Sequence, residues 1–337
     1  MGPMEPAPAG LKGRFLHWRT LISMALALSF LVFLLFRLEV DLGETWARVR
    51  GANPFLYLLA FLTYYVSFPL RAWRWRRMLV NAGLASPHLP SSWRLTPHIL
   101  INFFANCVLY ARLGDAYRAY LLREDTGASL PRALGTVAAE RALDLAAILF
   151  LLALSGVGLW GQESFLPLLG VGFGVVAFLF LLLGAMGRFG LALSQRLPGR
   201  LRALYLPFQE GTLGSFAQLR PVALASLGVW VLETGRVYLV VLALGVSVSP
   251  FLVLFAGQAI ALLSAIPLTP AGLGLVEAGV AGVFMTALPP EEAWSVALLD
   301  RTISYLSLIP VGLALLAWRH LSRGHPDKPS PPGPLSS

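Results

Sequence analysis

Two charged kernels recur 160 residues apart inside a chain that is otherwise strongly apolar. Ala111-Arg112-Leu113-Gly114-Asp115 is followed by Glu140-Arg141-Ala142-Leu143-Asp144. Ala271-Gly272-Leu273-Gly274 is followed by Asp300-Arg301-Thr302-Ile303-Ser304. Gly114 and Gly274 keep that separation, as do Arg141 and Arg301, Ala105 and Ala265, Ala133 and Ala293, and Arg76 and Arg236. Matches of Ala, Leu or Gly are cheap in such a composition, but paired arginines and a repeated acid–Arg dipeptide are not. Corresponding charged interruptions in the two halves of an apolar chain point to a transporter-like core.

The surrounding sequence is membrane-like. Of 337 residues, 57% are hydrophobic and 13% charged, with mean hydropathy +0.70. Soluble domains carry about 25% charged residues, so there is little room for a separate soluble domain. The net charge of +9 is arginine-borne, since the lysines are Lys12 and Lys328. These cations cluster at segment ends, which reads as lipid head-group contact and topology signal rather than nucleic-acid binding. One cysteine, Cys107, excludes an intrachain disulfide and a multi-cysteine metal site.

Apolar runs are predicted to span at 20–36, 55–70, 137–159, 165–186, 222–244 and 293–318. The run 95–111 is short and polar at Asn102 and Asn106. The run 251–266 breaks at Pro267, Thr269, Pro270, Gly272 and Gly274. The stretch 71–77, rich in Arg and Trp, reads as a basic flank with an aromatic belt, and 188–220 as a basic interfacial segment. The positive-inside rule places 12–19, 71–77, 188–202 and 319–323 in the cytoplasm. It places the acidic segments 39–44, 162–163 and 291–292 outside. Six spans satisfy this if 95–122 and 251–288 each enter and leave on one side, from opposite faces; hydropathy alone also allows eight. The expected fold is therefore an all-α polytopic membrane protein of six to eight spans, with two re-entrant or broken helices in an inverted repeat. Its expected parts are a cytoplasmic N-terminus (1–19), a transmembrane domain (20–320, with halves about 55–160 and 221–318) and a disordered cytoplasmic tail (321–337). Irregular backbone at membrane depth needs protein or a water-filled cavity around it, so the two breaks predict a central cavity.

Candidate site residues follow from charge at depth. Arg112, Asp115 and Arg118 are spaced to share a helix face. Glu140, Arg141 and Asp144 open a span, and an arginine in the bilayer core costs about 2.5–3.5 kcal/mol unless it is paired. Glu233 and Arg236 lie inside a span, as a clamp or a cavity wall. Glu277 is the sole charge between Arg236 and Glu291. It falls near a half-helix start, where free N–H groups favour anions and Glu277 itself would favour a cation or amine. The histidines are scattered, and no metal-ligand spacing, nucleotide loop or Ser/His/Asp pattern is present. No cofactor is expected.

These motifs carry a resemblance. Asn102, the run 111–115 with Arg118, the run 140–144, the run 267–277 and Arg301 with Ser304 and Tyr305 together resemble the lysylphosphatidylglycerol synthase transmembrane-region family of flippase-like domains. The likeness covers about 15–320. Asp115 stands where Glu is usual, Tyr110 where Pro is common, and Ala271 where a second Gly is usual. Nothing after Trp318 reads as an aminoacyl-transferase domain, so synthase activity is not implied. What the resemblance implies is a multi-pass protein of the plasma (inner) membrane, with both termini cytoplasmic. It would be a transporter rather than an enzyme, moving an anionic or aminoacylated phospholipid or a polyprenyl-linked lipid between leaflets. Arg112, Arg141 and Arg301 would hold phosphate. Glu140, Asp144 and Glu277 would balance charge or hold an amine. Two rivals from other classes stand beside it: a membrane-embedded lipid head-group transferase, and a scaffold for a cell-envelope synthase. Expected partners are membrane lipids, with a second copy of the chain or such a synthase as candidates.

Overall fold

The computed structural model describes residues 41–84, 89–109, 112–266 and 269–323, and these are helical throughout apart from turns and short loops. The predicted span at 20–36 lies outside the described residues. Helix α1 (Leu42–Arg50) starts where Asp41 accepts the amide of Glu44. Helix α2 (Pro54–Leu79) starts where Asn53 accepts the amides of Phe55 and Leu56. A short polar acceptor at the N-cap satisfies amides that the helix cannot. A π-helical turn, Val80–Leu84, prolongs α2.

Helices α3 (Ser92–Val108) and α4 (Leu113–Thr126) form a hairpin, with Leu109 extended after the first and Arg112 left-handed before the second. Helix α5 (Leu130–Gln195) is folded at Gly161, whose φ of 78° and ψ of 168° no helical residue adopts. Its two arms run antiparallel. Helix α6 (Gly199–Gly214) touches the start of one and the end of the other, with Gly211 against the Arg132 carbonyl and Gln209 donating to the Met186 carbonyl. Next come α7 (Leu219–Ala243), α8 (Pro250–Ala265), a 3₁₀ turn (Pro270–Gly272), α9 (Leu275–Phe284), α10 (Pro290–Arg301), a π-helical turn (Thr302–Leu306) and α11 (Leu308–Arg323).

Five helical stretches among the described residues are long and apolar enough to cross a membrane: Pro54–Leu84, Leu130–Gly161, Leu169–Gln195, Leu219–Ala243 and Pro290–Ser322. They match the expected spans. Two expectations change. The segment 162–163 forms no loop, because α5 turns on Gly161 alone. The segment 188–220 is not one exposed basic stretch: 188–195 end α5, and α6 packs against that helix. Arginines 200 and 202 are exposed, but Gln209, Gly211 and Thr212 are buried against α5.

The bundle has two chemically distinct ends. At one, the amide of Asn53 donates to Ala243, Phe251 packs on Gly158, and Arg48 pairs with Glu292. At the other, Asn81 donates to the Ser215 carbonyl, and Arg319 pairs with Glu124 and Asp125. The α3–α4 hairpin opens at this second end and the α8–α9 hairpin at the first. Their breaks meet inside, where the Arg112 guanidinium donates to the Ser264 carbonyl (3.0 Å) and the Tyr305 hydroxyl to the Cys107 carbonyl (3.1 Å).

The α5–α6 crossing leaves no room for side chains. A Cβ on Gly211 would stand 2.1 Å from the Arg132 carbonyl oxygen, and one on Gly135 2.2 Å from that of Phe208. Gly211→Val should therefore destabilise the protein by about 1–3 kcal/mol through overpacking. Gly170→Val, with nothing within 4 Å, should be neutral. Thermal unfolding of both variants in detergent checks this.

Candidate functional site

A cavity of about 390 Å³ opens where the two breaks meet. Five arginines (Arg71, Arg112, Arg141, Arg236 and Arg301) and three carboxylates (Asp115, Asp144 and Glu233) reach its wall. An apolar side made by Leu145, Ile148, Trp230, Ile260 and Leu262 completes it. An ionised wall facing an apolar one suits an amphiphile.

The first half builds its charges on α2, α4 and α5. Arg74 is fully buried; it grips Asp144 at 2.6 and 3.2 Å, donates to the Ser226 hydroxyl at 2.8 Å and reaches Glu140 at 3.1 Å. Arg118 closes on Glu140 from the other side at 3.1 Å and lies over the Trp75 ring. Arg141 touches Glu140 at 3.2 Å, Asp115 at 3.4 Å and Asp144 at 3.6 Å. Arg112 stands 3.6 Å from Asp115. Arg112 and Arg141 are the open members, with side chains 26% and 33% exposed.

The second half repeats the plan on α7, α9 and α10. Arg236 binds Asp300 directly and Glu233 at 3.2 Å; Glu233 also takes Arg71 at 2.5 Å. Arg301 donates to Glu277 at 2.6 Å and to the Ala271 carbonyl at 3.1 Å, over the Tyr305 ring. In each half the acid of the acid–Arg dipeptide binds an arginine of an earlier long helix. The arginine of the dipeptide meets an acid on the second arm of a hairpin. The dipeptides stand 160 residues apart, but their partners, Arg74 with Arg236 and Asp115 with Glu277, stand 162 apart. Arg76, the sequence match to Arg236, instead donates to the Pro90 carbonyl.

The break residues are shaped for this. Arg112 (φ 53°) and Ala271 (φ 48°) are the non-glycine residues in the left-handed region among those described. Such strain gathers at functional positions. Gly114 donates its amide to the Asn106 side chain at 2.9 Å, and a Cβ there would lie 2.1 Å from the Asn102 carbonyl.

Some expectations need correcting. Arg112 precedes α4 rather than sharing its face, and Arg118 is buried on the Glu140 side, away from the cavity. Glu277 is not open to an amine: one oxygen takes Arg301 and the other the Gly274 amide at 2.6 Å, which also fills the anion site expected at that helix start. Asn102, Glu140, Thr269, Gly272, Gly274 and Tyr305 brace the lining residues from behind. Thr269 donates to the Leu273 carbonyl, and Asn102 accepts from Asn106. The stretch 71–77 is no mere lipid-facing flank, since Arg71, Arg74 and Trp75 are buried. Their three- and four-residue spacing on α2 was the available signal. Among the described residues, no group of three His, Cys, Asp or Glu could hold a metal.

Away from the cavity, Asp125 ties the first hairpin to α11. Burial alone would raise its pKa, but His98 at 2.7 Å and Arg319 at 2.6 Å hold it below the usual carboxylate range. A depressed native pKa stabilises above the unfolded value of about 3.9 and is lost as pH falls through the native one. The melting-temperature gap between wild type and Asp125→Asn should thus narrow as pH falls below about 4. A second contrast tests the network. Arg74→Met takes from Asp144 its 2.6 Å partner and from Glu140 one of three arginines, and should cost about 3–5 kcal/mol. Arg112→Met, at a part-exposed site, should cost less by the same melting measurement.

The family model described as the lysylphosphatidylglycerol synthase TM region matches residues 21–312. A UPF0104 membrane protein of Methanocaldococcus jannaschii is 33% identical over 62% of the chain and 91% of its own length. Another, from Methanothermobacter thermautotrophicus, is 26% identical over 82% and 89%. A Haloferax volcanii protein named glycosyltransferase AglD is 30% identical over 85% of the chain, which spans about half, 52%, of that relative.

Proposed function

The chain belongs to the lysylphosphatidylglycerol synthase transmembrane-region family of membrane proteins, and from that premise we propose that it is a lipid translocase. It would pass an anionic or aminoacylated phospholipid, or a polyprenyl-linked lipid, between leaflets while the acyl chains stay in the bilayer. The observation that carries this reading is the arginine-lined cavity at the junction of two broken hairpins that open at opposite ends of the bundle. Broken helices meeting at a polar site are a recurring transporter design. In this reading both hairpins are re-entrant, and Arg112, Arg141 and Arg301 engage the phosphate, for which guanidinium offers paired donors.

The end carrying arginines 188, 196, 200, 202, 319 and 323 would face the cytoplasm, and the end with Asp41, Glu44, Glu291 and Glu292 the outside. The plasma membrane, cytoplasmic termini, and a second copy or a cell-envelope synthase as partner belong to the same proposal.

A transferase is the second reading, favoured by the name of the Haloferax relative. Against it, each cavity carboxylate faces two guanidiniums, a poor setting for a general base.

Translocation is tested with the purified protein in liposomes bearing leaflet-labelled phosphatidylglycerol, lysyl-phosphatidylglycerol or a polyprenyl phosphate. Movement of one class, abolished in folded Arg141→Ala/Arg301→Ala protein, is the expected result. Unchanged movement in the double variant overturns the site, and formation of a new lipid product favours the transferase.

A further inference from the structure

Within the translocase reading, on which this step rests, we infer that the cavity selects a head group of net negative charge and rejects an aminoacylated one. The buried network among the described residues holds seven arginines (Arg71, Arg74, Arg112, Arg118, Arg141, Arg236 and Arg301). It holds six carboxylates (Asp115, Glu140, Asp144, Glu233, Glu277 and Asp300). The contacts divide these into separate sets. Arg71, Arg236, Glu233 and Asp300 balance, and so do Arg301 and Glu277. The remaining set sets four arginines (Arg74, Arg112, Arg118 and Arg141) against three acids (Asp115, Glu140 and Asp144), one positive charge in excess.

That excess faces the cavity. Arg74 and Arg118 are buried against their acids, whereas Arg112 and Arg141 line the open space. Their shared partner, Asp115, holds them loosely at 3.6 and 3.4 Å, and its Oδ1 has no hydrogen-bond partner. The Nε of Arg141 likewise has none. The equivalent pair in the other half, Arg301 with Glu277, is closed at 2.6 Å. The first half thus presents two guanidiniums side by side at the cavity, Arg112 loosely on Asp115 and Arg141 spread over Glu140, Asp115 and Asp144, and a phosphate oxygen can accept from both. Arg112 is held there by a left-handed backbone and a hydrogen bond to Ser264.

The same arithmetic excludes a cationic head group. A lysyl ester of phosphatidylglycerol has one phosphate anion and two ammonium groups, hence a net positive charge. Its two amines would need free carboxylates, yet Asp115, Asp144 and Glu233 each already face two arginines, and Asp115 leaves one oxygen, Oδ1, open between them. In a low-dielectric site an uncompensated like charge is strongly disfavoured. The fitting class is an amine-free phosphate head group, either the phosphodiester of phosphatidylglycerol or the phosphomonoester of a polyprenyl phosphate.

The test is leaflet-resolved transport by the full chain in phosphatidylcholine vesicles carrying each of three labelled lipids: phosphatidylglycerol, lysyl-phosphatidylglycerol and a polyprenyl monophosphate. One or both amine-free lipids should move, and the lysyl lipid at least about tenfold more slowly. Whichever amine-free lipid is faster tells the diester from the monoester. Arg112→Gln should slow the anionic lipids by about tenfold and shrink the discrimination, while Asp115→Asn should widen it. Both substitutions lie at part-exposed positions, and a melting curve establishes that each variant is folded. Equal or faster movement of the lysyl lipid overturns the charge selection and leaves translocation standing. Movement of none of the three overturns the translocase reading and the selection with it.

Discussion

Ionised groups inside a membrane-embedded bundle must find partners, and that requirement organises this protein. Arg74, Arg118 and Arg236 are among the largest fully buried side chains. Each would be prohibitive alone, because desolvating a guanidinium costs more than most packing returns. Their partners lie on other helices, so the charges work as cross-links: α2 to α5 through Arg74, α4 to α5 through Arg118, α7 to α10 through Arg236. Helix register follows from these links. A rotation of α2 that kept its apolar surface buried would still detach Arg71 and Arg74 from Glu233 and Asp144.

The helix breaks obey the same rule for the backbone. Each break frees N–H and C=O groups that hydrocarbon cannot satisfy. Asn106 takes the Gly114 amide, Glu277 takes that of Gly274, Arg112 covers the Ser264 carbonyl, Arg301 that of Ala271, and Tyr305 that of Cys107. The side chains that give the cavity its charge also make its irregular walls tolerable. Function and stability therefore share residues here, and substitutions at the breaks will move both.

Much of this was legible in the sequence, for a physical reason. A charge within an apolar run is costly, so Arg112, Glu140, Arg141, Asp144, Glu233, Arg236, Glu277 and Arg301 stood out. All eight lie in the cavity wall or one contact behind it. Which of them face the space was not legible. Arg118 read as a site residue by spacing and Glu277 as a lone charge near a helix start, yet their partners turn them inward. Arg71 and Arg74 were hidden by their surroundings, since arginines among tryptophans at the end of an apolar run look like a membrane flank. The offset misled as well. Matching at 160 aligned Arg76 with Arg236, whereas the ion pairs align Arg74, because the two halves differ by two residues between the long helix and the dipeptide.

The second arm of α5 is built on a different principle. In its most apolar stretch, within Leu169–Gln195, no residue is buried, and glycines 170, 172, 174 and 184 face open space. A thin half-buried stripe, Val176, Leu179 and Leu183, faces Ala142, Leu143 and Ala146 of the first arm, and the stretch is otherwise joined to the rest at Gly161 and through α6. Its height and tilt are then set by the thickness of the surrounding bilayer, while the ion-paired core keeps its own geometry. A thicker or thinner membrane would be felt first by this arm and passed on through α6, which sits against the π-helical end of α2 at Ala82. The molecule thus joins a rigid, charge-locked body to a lipid-positioned lever.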